Sequence, residues 1–228
     1  MKVLALDTSN QALAVALVEN GRLQTEMTLA VKKNHSISLM PTIDFLMQSV
    51  GWQPSDVERI VVAQGPGSYT GLRIGVATAK TLAYTLGVDL VGISSLQVLV
   101  PKELDGVVVP VIDARRNHVY AGFYENGQAV KADVYLSFEV LLEEVKSYEH
   151  VTFVGEVEAF IEQIKEVLPK AHYQATLPSA YRLALDGEIE PASEVMTFEP
   201  RYLKRVEAEE NWLKEHKEQN KESYIQRL

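Results

Sequence analysis

Cysteine is missing from the 228 residues, which excludes a disulfide framework, thiolate nucleophiles and thiolate metal ligands. Positive charge is short: 22 Lys and Arg stand against 31 Asp and Glu, for a net charge of −9 at pH 7. That balance argues against an independent nucleic-acid binder, which carries a basic face. No apolar run approaches the roughly 20 residues that span a bilayer. The five histidines, His35, His118, His150, His172 and His216, include no i,i+3 or i,i+4 pair, so no local metal motif is expected. There is no Gly-Gly pair, no Gly-Lys-Ser/Thr of a Walker A loop and no Gly-x-Ser-x-Gly elbow. Met1 to Asp7 enters a strand directly and meets a carboxylate too early for a signal peptide. With 46% hydrophobic and 23% charged residues, the chain reads as a soluble, cytoplasmic α/β protein.

What is present centres on Gly65-Pro66-Gly67-Ser68-Tyr69-Thr70-Gly71. The β-branched run Ile60 to Ala63 precedes it as a buried strand. Leu72, Val76, Ala79, Leu82, Ala83 and Leu86 follow at helical spacing. The stretch is therefore a strand, a glycine turn and a helix start, with Ser68 or Thr70 as the cap. Two readings stand side by side: an anion cradle at a helix N-terminus, or a tight turn with no ligand.

The strand pattern is written twice. Residues 2–7, 12–18 and 22–32 read as strands, with Asn20-Gly21 as a type I′ turn. A helix follows over 36–50. After the strand and helix of the central stretch, 88–93 reads as a strand and 94–100 as a short helix. Val109 to Asp113 then echoes the strand ending at Asp7, and Asn126-Gly127 echoes Asn20-Gly21. Thirteen positions separate aspartate from asparagine in both copies, which predicts a duplication. The second copy continues with strands at 130–136 and 151–154 and helices at 137–147 and 156–168. Residues 169–200 read as irregular connections around short helices, and 203 onward as a charged helical tail. Tandem β-β-β-α-β-α halves are the plan of the actin, sugar-kinase and Hsp70 (ASKHA) architecture. The expected division is 1–101 for the first half and 102–203 for the second, with a tail, 204–228, that packs back on the first.

A phosphate clamp of that architecture wants glycine after each aspartate, where a Cβ obstructs the phosphate. Here Asp7 is followed by Thr8-Ser9-Asn10 and Asp113 by Ala114-Arg115-Arg116. A kinase reading is thereby weakened, and both aspartates read equally well as turn caps. The helices say more. On the first, Leu39, Met40, Ile43, Leu46, Met47 and Val50 form a core arc that leaves Ile37, Pro41 and Phe45 outside it. On the second, Ile74, Thr78 and Thr81 lie opposite the core arc, with Arg73, Ala77 and Tyr84 beside them. Gly71, Gly75, Ala77, Thr78 and Thr81 are small enough to admit another helix. These faces predict a helix contact with a partner, unless loops or the tail cover them.

The stretch Gly65 to Gly75 with Ala79-Lys80 resembles the TsaB (YeaZ) family of tRNA threonylcarbamoyladenosine biosynthesis. Leu6-Asp7-Thr8-Ser9, His35-Ser36, Leu39-Met40-Pro41 and Pro200-Arg201-Tyr202-Leu203 agree with it. The resemblance implies a non-catalytic paralogue of the catalytic subunit TsaD, paired with it through the first-half helices. In TsaD a His-x-x-x-His metal motif falls where this chain has Ser95 and Leu99, which cannot replace two imidazoles. The implied partner-binding residues are Ile37, Pro41, Phe45, Arg73, Ile74, Ala77, Thr78, Thr81 and Tyr84, with no catalytic or metal residue. Asp7, Thr8, Ser9, Gly65, Gly67 and Ser68 are the candidates for an anion-proximal or nucleotide-proximal loop. Also implied are docking of the ATPase TsaE, a homodimer when alone, no intrinsic cofactor, ATP or ADP at the complex interface, and tRNA met only through the complex. The product is the modified adenosine beside the anticodon of tRNAs reading ANN codons. The rival readings are an ATP-dependent phosphotransferase, a peptidase of the superfamily, and direct tRNA binding through Arg115, Arg116 and a tail whose charges nearly balance.

Overall fold

The computed structural model describes residues 1–30 and 35–204; the tail expected beyond them lies outside the described residues. The first half contains β1 (Lys2–Asp7), β2 (Leu13–Glu19), β3 (Arg22–Leu29), α1 (His35–Val50), β4 (Arg59–Gly65), α2 (Tyr69–Leu86) and β5 (Asp89–Ser94). The second contains β6 (Val107–Asp113), β7 (His118–Glu125), β8 (Gln128–Ser137), α3 (Phe138–Val145), β9 (Val151–Gly155), α4 (Ile161–Val167) and β10 (His172–Ala175), followed by α5 (Ala180–Ile189).

The two sheets have the orders β3-β2-β1-β4-β5 and β8-β7-β6-β9-β10. In each, the first three strands are antiparallel and the last two parallel. The duplication read from aspartate and turn spacing is therefore a duplication of topology. Both Asn-Gly turns carry the two positive φ values of a type I′ hairpin, 49° and 73° at Asn20-Gly21 and 51° and 74° at Asn126-Gly127.

The first sheet is covered on both faces, so β1 and β4 each carry an unbroken apolar run, Val3 to Leu6 and Ile60 to Ala63. Leu4, Leu6, Leu13, Val15, Ile60 and Val62 pack against α1 and α2. The alternate residues Val3, Ala5, Ala14, Ala16, Val61 and Ala63 pack against Ala180, Leu183 and Ala184 of α5. Alanines on that face let α5 lie close: a Cβ on Gly187 would overlap the Val61 side chain. Thus α5 follows the second sheet in sequence but covers the first. Arg59 holds its C-terminal end by donating from Nη1 to the carbonyls of Gly187, Glu188 and Glu190 at 2.9–3.1 Å. The second sheet packs α3 and α4 on one face around Phe123, Phe138 and Phe153. Its other face meets the first lobe through Leu96, Leu99, Val108, Ile112 and Tyr124.

Several expectations are corrected. Residues 94–100 are not a helix but the end of β5 and a 3-10 turn, Gln97–Leu99; Ser94 Oγ accepts the Leu96 N–H at 3.2 Å and draws the chain into that turn. The stretch expected to be irregular contains β10, whose four residues are all exposed and so carry no apolar signal. Met40, assigned to the core arc, is exposed, while Thr42 is buried in its place. The segment after α5 is irregular but anchored. Ser193 N–H donates to Leu90 O and Arg201 N–H to Gln64 O, both at 2.8 Å. Lys80 Nζ reaches the carbonyls of Met196 (2.6 Å) and Phe198 (3.2 Å).

Candidate functional site

The turn between β4 and α2 closes on the chain itself. A Cβ on Gly67 would overlap the carbonyl oxygen of Ser9, one on Gly71 that of Thr8, and one on Gly65 that of Arg201. Gly75 likewise leaves room only for the Thr8 hydroxyl. Gly71 and Gly75 are therefore buried against the β1–β2 turn, not free to admit a partner helix as the sequence suggested. Thr8 Oγ1 donates to Gly71 O at 2.7 Å and Ser68 N–H to Ser9 O at 2.6 Å. Ser68 caps α2, its side chain accepting from Gly71 N–H.

The structure thus brings Asp7, Thr8, Ser9, Gly65, Gly67 and Ser68 together, with Ser68 alone exposed. Asp7 is fully buried, and Oδ1 accepts the Ser9 N–H at 2.7 Å. Burial pushes its pKa up to about 6; the hydrogen bond from the Ser9 N–H and the charge of His35 pull in the other direction.

A second carboxylate sits between the two aspartate-bearing turns. Glu156 follows Gly155 at the end of β9, as Pro66 follows Gly65 at the end of β4. Its Oε2 accepts the Asp113 N–H at 2.9 Å and its Oε1 the Gln11 N–H at 3.3 Å. Burial raises its pKa, the two N–H groups lower it and the nearby Asp113 raises it further. Asp113 caps its own turn: Oδ1 accepts Arg115 N–H at 2.8 Å and Oδ2 pairs with the Arg115 guanidinium at 3.3 Å. Glu156 also lines a cavity of about 210 Å³ between the lobes, bordered by Asn10, Gln11, Glu158, Thr176 and Pro178. Its carboxylates make the cavity uninviting to anions. Ser95 and Leu99 are buried nearby, and among the described residues no group of three or more His, Asp or Glu is placed to hold a metal ion.

The helix faces point outward. Ile37, Phe45 and Tyr84 are 72%, 57% and 69% exposed, and Pro41, Arg73, Ala77 and Thr81 are also exposed. Ile74 and Thr78 are half-buried, Ile74 against the core that α1 and α2 share. Arg73 lies over the Tyr69 ring at 4.1 Å and donates from Nε to the Tyr202 hydroxyl at 3.1 Å. Sequence reasoning missed Glu156 and the pairing of Arg201 with Asp133. The alignment of the two halves, which sets Gly155 against Gly65, was the available signal for the first.

Two stacked copies of one mixed five-stranded unit, joined at an inter-lobe cleft, define an ASKHA-type fold. The family model for TsaD, tRNA N6-adenosine threonylcarbamoyltransferase, matches residues 28–212. The tRNA threonylcarbamoyladenosine biosynthesis protein TsaB of Bacillus subtilis (strain 168) is 38% identical over 95% of this chain and 100% of its own. The Escherichia coli K12 protein of the same name is 30% identical over 56% of this chain and 57% of its own. The solved structure of YeaZ from Pseudomonas aeruginosa superposes with a TM-score of 0.73 at 27% identity, covering 88% of this chain and all of that one. The chain belongs to the TsaB (YeaZ) family of tRNA threonylcarbamoyladenosine biosynthesis proteins. No helix among the described residues is long and apolar enough to cross a membrane.

Proposed function

We propose that the chain is a non-catalytic accessory subunit that pairs with the catalytic protein TsaD through the outer faces of α1 and α2. The observation that carries this reading is the exposure of Ile37, Phe45 and Tyr84 on two adjacent helices of one lobe. Burying what remains exposed of Ile37 or Phe45 stabilises a contact by about 1–2 kcal/mol each. In the absence of TsaD the same face is self-complementary and closes a two-fold homodimer. TsaD then transfers the threonylcarbamoyl group to the adenosine beside the anticodon of tRNAs reading ANN codons, with TsaE docked on the pair. ATP or ADP belongs to the junction with TsaD, and the assembly works in the cytoplasm.

Glu156 supports the non-catalytic part. It occupies the space between the Asp7 and Asp113 turns and takes N–H groups of both, where an active phosphotransferase of this architecture needs room and positive potential. Co-expression of Phe45→Glu with TsaD tests the pairing. The variant keeps the wild-type melting temperature, because residue 45 is exposed, and no longer co-purifies with TsaD. Retention of TsaD at wild-type affinity overturns the assignment.

A further inference from the structure

The face of the second sheet that turns toward the first lobe ends in a group of rings. His118 and Tyr120 are two residues apart on β7 and therefore share a face. Tyr120 is paired with Tyr135 of β8. The His118 and Tyr135 rings stack at 5.3 Å and 21°, and Tyr120 lies 5.5 Å from Tyr135. All three are half-buried. Lys204 brings its ammonium to 5.3 Å from the Tyr135 ring. The adjoining β6–β7 turn holds Arg115 and Arg116 exposed, on backbone with φ of 70° and 53°. Through residues 201–204 the rings connect to a second group, Tyr202 against Tyr69 at 5.0 Å with Arg73 over Tyr69. Beside this track, among the described residues, Asp113 pairs with Arg115, Asp133 pairs with Arg201, and Glu139 accepts from the Asn117 amide.

We propose that this track binds single-stranded RNA, bases stacking against the His118–Tyr135 pair while Arg116 and Lys204 meet phosphates. Aromatic rings on a sheet surface flanked by cations are the means by which proteins hold unpaired bases. Rings cannot reach the bases of a duplex in the same way, so the unpaired anticodon loop is the fitting substrate within a tRNA. The inference rests on the tRNA-modification reading above, and it deepens that reading by giving this chain a share of the RNA contact. The net charge of −9 leaves little long-range attraction, so the isolated chain binds weakly and close contacts carry the affinity.

The test is fluorescence anisotropy of a labelled anticodon stem-loop RNA titrated with the full chain at low salt, with a fully paired duplex of equal length as control. The loop binds saturably and the duplex more weakly. Tyr135→Ala weakens loop binding by about fivefold or more, the lower end of the loss of one stacked base. Tyr135→Phe keeps the ring and stays within about twofold of wild type. Lys204→Ala lowers the slope of log affinity against log salt by about 0.7. No saturable binding, equal binding of duplex, or an unchanged affinity in Tyr135→Ala overturns the proposal. Co-purification with TsaD is measured in parallel. If wild-type chain fails to pair with TsaD yet binds RNA through Tyr135, the accessory-subunit reading falls and this one stands. If Tyr135→Ala loses TsaD and not RNA, the track is a protein contact and the RNA assignment is wrong.

Discussion

Replacing Asp7 by Asn should stabilise the fold, by an amount that depends on pH. Asp7 is fully buried at the end of a central strand and its pKa rises from 3.8 to about 6. A carboxyl whose folded pKa is raised binds its proton more tightly when folded, so its ionisation works against the fold. Below about pH 4 both states are protonated and no penalty exists. Between about pH 4 and 6 the penalty grows, and above about pH 6 it is complete. A shift of about two units at 1.36 kcal/mol each corresponds to about 3 kcal/mol. Asn keeps an oxygen for the Ser9 N–H but makes a weaker bond than a carboxylate, which leaves a gain of about 1–3 kcal/mol at pH 7. For a chain of this size each kcal/mol raises the melting temperature by about 2–4 °C. Urea unfolding of wild type and Asp7→Asn across pH 4 to 7 measures the difference directly. The expected difference is near zero at the acid end and rises to its plateau above pH 6. A difference independent of pH, or a variant less stable than wild type at pH 7, would refute the burial argument.

Two further outcomes follow from the closed turns. Gly71→Ala drives a Cβ into the Thr8 carbonyl oxygen, a rigid backbone contact, and should lower stability by about 3 kcal/mol or more, read as a drop in the urea midpoint. Isothermal titration of the isolated chain with Mg-ATP should show no saturable heat, since Glu156 and the Ser9 carbonyl occupy the approach to both turns; saturable binding would reinstate the phosphotransferase.

The duplication was legible because its signals are local. Asn-Gly turns, strand-ending aspartates and alternating apolar residues recur at one offset, and each is dictated by a few neighbouring residues. The outer face of α1 was legible for the same reason, since a 3.6-residue period says which side is left over, whereas on α2 Ile74, expected opposite the core, is half-buried against it. Ile37, Phe45 and Tyr84 stand exposed as their spacing implies. What failed depends on distant contacts. Gly71 and Gly75 look like helix-packing glycines until Thr8 is placed against them, and Thr8 lies more than sixty positions away. Met40 and Thr42 trade places with respect to the core because the helix is rotated by what it packs on, not by its own pattern. Likewise β10 is recruited by pairing with β9 despite four exposed residues, and α5 crosses to the first sheet because small residues there make room for it.

The two lobes close their strand-to-helix turns in the same manner with different residues. Gly65 and Gly155 both take positive φ, 126° and 93°, and at both a Cβ would overlap a carbonyl oxygen, of Arg201 in one case and Val111 in the other. After Gly65 the chain continues with Pro66 and Gly67, and Ser68 N–H is bonded to Ser9. After Gly155 it continues with Glu156, whose N–H donates to Val111 O at 2.9 Å while its carboxylate takes Gln11 and Asp113. One backbone N–H in each turn, Ser68 on one side of the cleft and Glu156 on the other, is thus bonded within the chain, and the group placed between the turns is itself anionic. Opening either turn to a phosphate would break these bonds and bring two negative charges together in a half-buried site, which is costly where the effective dielectric constant is low. The loop that resembles an anion cradle therefore acts as a brace, fixing the start of α2 against β1. A brace that rigid is what a helix needs if its other face is to be presented unchanged to a second protein.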